Sequence, residues 1–97
     1  MTTASLVVST YNWKEALALC LHSIAAQRVL PLEVVVADDG SREDTAELIR
    51  TMAADFPVPL IHAWQEDAGF RLARVRNLGI AASAGDYVIF LDGDLIL

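Results

Sequence analysis

Four short apolar runs, each breaking off at a cluster of polar residues, limit what this chain can fold into. They occupy residues 5–9, 33–37, 58–63 and 87–91. Runs of that length without strict polar alternation suit strands covered on both faces. The stretches between them read as helices. Residues 13–27 place Leu17, Leu21 and Ile24 on one face, and a second helix begins at Ser41 and shows Leu48, Ile49 and Met52. Ser41 stands three residues before Asp44, a Ser-x-x-Asp variant of the capping box. A third helix, about residues 70–83, carries Leu72, Val75, Gly79 and Ala82 on one face and is stopped by Gly85. Pro57 and Pro59 push the third run toward a sheet edge. The alternation β-α-β-α-β-α-β predicts a parallel sheet between two helical layers, a three-layer α/β/α arrangement.

Composition narrows the classes. The chain has 97 residues, room for one domain, and 55% of them are hydrophobic, which excludes a disordered chain. So short a chain buries a smaller fraction of its surface than a full domain does, and the core wants more protein around it. A net charge of −6 leaves no electrostatic footprint for nucleic acid and no polybasic membrane anchor. An anionic ligand would need local positive charge from a metal ion or placed arginines. Cys20 is the only cysteine and reads as a core residue on a helix, so no internal disulfide forms and a reducing compartment fits. The N-terminus lacks a basic region, and the apolar run after it is too short for a signal peptide or membrane span. A cytoplasmic protein is expected. The apolar ending Leu95-Ile96-Leu97 reads as part of a longer protein.

In open parallel sheets, ligands bind at the carboxyl ends of the strands. The polar residues collect there: Ser9-Thr10-Tyr11-Asn12, Asp38-Asp39-Gly40-Ser41, Gln65-Glu66-Asp67 and Asp92-Gly93-Asp94. Asp92 and Asp94 stand two apart, which in extended backbone puts both carboxylates on one side. Two hard oxygen ligands suit Mg²⁺ or Mn²⁺, which could neutralise a diphosphate; a plain surface turn is the competing reading. Asp38 and Asp39 repel each other, which suggests a partner such as a uracil ring N–H, or else a solvated loop. Arg71, Arg74 and Arg76 cluster on the third helix and suit phosphate or a solvated face, although Arg76 points away from the other two. Trp64 and Phe70 are core or a platform for a base or sugar, and Tyr11 packs or stacks. His22 and His62 lack metal-ligand spacing and read as structural. Ser41 has a sufficient task as a helix cap.

The motifs Val7-Val8-Ser9-Thr10-Tyr11-Asn12, Val36-Ala37-Asp38-Asp39-Gly40-Ser41, Arg76-Asn77-Leu78-Gly79-Ile80-Ala81 and Phe90-Leu91-Asp92-Gly93-Asp94 come in an order that resembles the family 2 glycosyltransferases of GT-A fold. Residues 64–71 further resemble a branch that includes bacterial capsule and chondroitin-type polymerising transferases. The resemblance implies a Rossmann-like N-terminal half that binds a nucleotide-diphosphate sugar, a UDP-sugar, through Mn²⁺ or Mg²⁺ for inverting transfer to a saccharide acceptor. It implies that Ser9 and Tyr11 line the nucleotide pocket and that Asp39 accepts from the uracil with Asp38 beside it. Arg76 would contact the nucleotide or its phosphates. Asp92 would hold ribose or reach the metal through water, and Asp94 would ligate the metal. Glu66, Asp67 and Arg71 would sit near the donor. The family's acceptor half and its general base have no counterpart in residues 1–97, so the chain alone is expected to bind rather than catalyse. Any peripheral attachment at the inner membrane face would come from regions outside it.

Three other readings compete. A non-enzymatic nucleotide-binding module or folding fragment shares the same pocket. A phosphoacceptor signalling domain needs its acidic pair after strand one, whereas here the pair follows strand two. A dinucleotide-binding fold needs G-x-G-x-x-G after strand one, which is missing. The fourth strand is predicted to lie beside the first, giving order 3-2-1-4. Its outer edge would then be exposed and would favour self-association.

Overall fold

The backbone alternates as the apolar runs require. In a computed structural model that describes residues 3–38, 40–64, 79–80 and 82–92, the elements are β1 (Ala4–Thr10), α1 (Lys14–Ala25), β2 (Glu33–Asp38), α2 (Glu43–Ala53), β3 (Leu60–Trp64) and β4 (Tyr87–Asp92). Gly79, Ile80 and Ala82 are helical, Ser83 already stands outside the helix, and residues 70–78 and 81 of the expected third helix lie outside the described residues. The strands form one parallel sheet in the order β3-β2-β1-β4, as expected.

Strand periodicity sorts the core into two layers. On one face Leu6, Val8, Val34 and Val36 pack with Leu17, Cys20, Leu21 and Ile24 of α1 and Ile49 of α2. On the other, Val7, Val35 and Ala37 pack with Ile61, Ala63 and Val88. Every residue of β2 is buried, as its central place demands. Each fully buried Val, Leu or Ile contributes about 1.5–3 kcal/mol by removal from water. Gly79 lets a helical backbone settle onto the second face, since a Cβ there would lie 2.5 Å from Cγ1 of Val7. Among the described residues no helix is long and apolar enough to cross a membrane.

The amino ends of the strands carry a buried polar staple. Glu33 is almost fully buried, and its Oε2 accepts the Ser5 hydroxyl at 2.6 Å and the Ala84 amide. The Gly85 amide donates to Ser5 Oγ at 2.8 Å. Next to it, Thr3 N donates to Asp86 Oδ2 at 3.0 Å and Tyr87 N to the Thr3 carbonyl at 3.0 Å. These bonds guide the chain into β4 beside β1. A Cβ on Gly85 would stand 2.6 Å from Ser5 N and 2.9 Å from Ala4 C, both backbone atoms that cannot step aside. Gly85→Ala should therefore destabilise the fold by about 1–3 kcal/mol in urea denaturation, as overpacking does.

Candidate functional site

At the carboxyl ends of the strands two loops are tied to one another. The chain leaves β1 through Asn12, whose φ of 45° is left-handed, a conformation that Asn tolerates better than most residues. This turn aims both its backbone and its side chain at the loop after β2. Asn12 N donates to Ser41 Oγ at 2.8 Å, and Asn12 Oδ1 accepts the Arg42 amide at 2.8 Å. The β2–α2 turn reaches this position through Gly40, at φ 86°.

Asp38 ends β2 with no exposure to solvent. Burying a carboxylate is costly unless its oxygens are bonded. Here Oδ1 accepts the Ser41 amide at 2.8 Å and Oδ2 lies 2.8 Å from Nε2 of His62. A carboxylate oxygen accepts, so Nε2 carries the proton of that bond. For Asp38 the protein supplies this second partner from β3. The register sets Asp38 opposite Trp64, so His62, two residues earlier, projects from the same face. Trp64 donates its indole N–H to the Ser41 carbonyl at 3.2 Å and leaves about half its surface in solvent, so it is not a core residue. Lys14 and Asp44 form a solvated ion pair at 3.4 Å across the starts of α1 and α2.

Ser41 departs from expectation. The helix begins at Glu43 with Arg42 as its N-cap and no side-chain capping bond. The Ser41 hydroxyl is instead spent on the Asn12 amide, so it joins two loops rather than capping a helix. Asp44 completes no capping box: its Oδ1 accepts the amide of Thr45.

Of the expected site residues, Ser9, Tyr11, Asp38 and Asp92 fall at this edge of the sheet. Ser9 is paired with Asp92 and Thr10 with Asp38, while Tyr11 is half exposed at the rim. Asp39, Glu66, Asp67, Arg71, Arg76 and Asp94 lie outside the described residues, as do Arg74 and Phe70. Among the described residues no group of three His, Cys, Asp or Glu gathers to hold a metal. The contributions of Asn12 and His62 were missed from sequence. Spacing carries no trace of His62's bond, which becomes visible only once the β2–β3 register is known.

A Rossmann-like parallel sheet with tethered loops at its carboxyl edge defines a class of ligand-binding α/β proteins. The sequence profile of Glycosyl transferase family 2 matches residues 5–97, and the chain belongs to that family. It is 38% identical over 92 residues to chondroitin synthase of Escherichia coli, covering 94% of this chain and 13% of that protein. It is 33% identical over 92 residues to hyaluronan synthase of Pasteurella multocida, covering 94% of this chain and 9% of that one. The crystal structure of S. aureus TarS in complex with UDP-GlcNAc superposes with a TM-score of 0.80 at 28% identity, over 97% of this chain and 27% of that one. The chain thus spans a small part of each relative, and its sheet is the GT-A arrangement.

Ser41→Ala removes the acceptor of the Asn12 amide. It should cost about 1 kcal/mol in stability. Amide hydrogen exchange at Asn12 should quicken while the first turn of α2 keeps its protection, the reverse of what loss of a helix cap would give.

Proposed function

We propose that this chain is the donor-binding region of a glycosyltransferase, which binds a UDP-sugar through a divalent cation for transfer to a saccharide acceptor with inversion. One observation carries the reading. The strand order reverses between β1 and β4, and at that switch point Ser9 and Asp92 stand paired at the carboxyl edge. Open α/β sheets bind their ligands in this crevice. The likeness to TarS crystallised with UDP-GlcNAc supports the same choice of ligand.

Ser9 and Tyr11 line the nucleotide pocket, with the exposed Tyr11 ring offering a stacking face. Asp39 accepts from the uracil N–H, with Asp38 beside it. Arg76 meets the nucleotide or its phosphates, and Glu66, Asp67 and Arg71 lie close to the donor. Asp92 holds ribose or a metal-bound water, and Asp94 ligates Mn²⁺ or Mg²⁺. When bound, the ion supplies the positive charge that a chain of net charge −6 otherwise lacks, and it stabilises the diphosphate as leaving group. The acceptor site and the general base belong to the half of the fold outside these residues, so the chain alone binds without turning over. Taken alone it also self-associates through the edge of β4, where Tyr87, Ile89 and Phe90 are exposed.

Calorimetric titration of the full-length protein with UDP tests the reading. Binding should require Mn²⁺ or Mg²⁺, and Asp94→Ala should weaken it by about tenfold or more, as loss of a metal ligand does. Metal-independent binding that Asp94→Ala leaves untouched would sink the metal assignment. Release of UDP from a UDP-sugar, dependent on a saccharide acceptor, separates a transferase from a mere binding module.

A further inference from the structure

We infer that His62 is a positioning residue for the nucleotide pocket: from the edge strand β3 it holds Asp38 and so fixes the β2–α2 turn against the β1–α1 loop. The inference rests on the donor-binding reading above and adds a residue to it. His62 matches no motif and no role in nucleotide binding falls to it, yet its ring bonds the Asp38 oxygen that the Ser41 amide leaves open. The Asp38 side chain is 1% exposed and that of His62 21%, so the bond is shielded from competing water. From there the bonds run on without a gap. Asp38 takes the Ser41 amide, Ser41 takes the Asn12 amide, and Asn12 takes the Arg42 amide. Asn12 directly follows Tyr11 at the rim. The same strand sends a second strut, the Trp64 indole N–H to the Ser41 carbonyl. The pocket's two loops are therefore referenced to β3, a strand that pairs with neither β1 nor β4.

If His62 were there for packing alone, a residue of similar size would replace it. The decisive comparison is His62→Leu, which keeps bulk and loses the donor, against His62→Gln, whose amide N–H can still reach Asp38. In the full-length protein titrated with UDP and Mn²⁺, His62→Leu should weaken binding by about tenfold, the worth of a shielded bond to a carboxylate. His62→Gln should stay within about threefold of wild type, because its amide keeps that bond. Ile24→Val, in the core at the far end of α1, should lower the melting temperature without moving UDP affinity. Wild-type affinity in His62→Leu, or equal weakening in Leu and Gln, overturns the positioning role and leaves donor binding standing. Failure of the wild type to bind UDP overturns both. Should His62→Leu not fold, Trp64→Phe decides: loss of the second strut should weaken UDP by about threefold at a nearly unchanged melting temperature, as removal of one exposed-edge bond does. Unchanged affinity there overturns the inference.

Discussion

A carboxylate buried at the end of the central strand governs the architecture around it. Asp38 has no solvent to hydrate it, so its oxygens must be satisfied by the protein. One oxygen takes a donor from its own turn and the other from the neighbouring strand. The first bond closes the turn over Gly40, and the second ties that turn to the sheet. Once Ser41 is held, its hydroxyl and its carbonyl point at Asn12 and Trp64. The loops of the site are thus ordered by the cost of leaving one buried acid unpaired.

Much of this was legible in the chain. The four apolar runs became the four strands, and Leu17, Leu21 and Ile24 are the buried face of α1 as their spacing requires. The strand order followed from placing β4 beside β1. The polar clusters marked the carboxyl edge because a parallel sheet gathers all its strand ends there. What could not be read were bonds between segments far apart in sequence. Ser41 carried a local capping signature that competed with a partner 29 residues upstream, and the distant amide won. His62 gave no local signal, because its meaning lies in the register of β3 on β2. Trp64 was open between core and surface, and an indole N–H that finds a carbonyl at the sheet's rim can leave its ring exposed.

The opposite edge of the sheet shows the same chemistry put to another use. Glu33 is also a nearly buried acid, and it too accepts from a side chain and a backbone amide. Its partners, however, lie at the amino ends of the strands, where parallel sheets do not bind ligands. One buried carboxylate therefore organises the loops at the carboxyl edge, and the other organises the entry to β4.

These two ends are coupled through register. β1 and β4 are separated by most of the chain, and nothing local fixes how far one slides along the other. The staple of Glu33, Ser5, Ala84 and Gly85 pins β4 at its first residues, with Tyr87 opposite Ala4. Pairing then runs five further positions to bring Asp92 to Ser9. A slip of one residue would turn every β4 side chain to the other face and carry Asp92 off its partner. The crevice at the switch point therefore depends on a polar cluster the full length of the strand away. Gly85 matters for the same reason, since a side chain there would push the staple open and release the register that aligns the site.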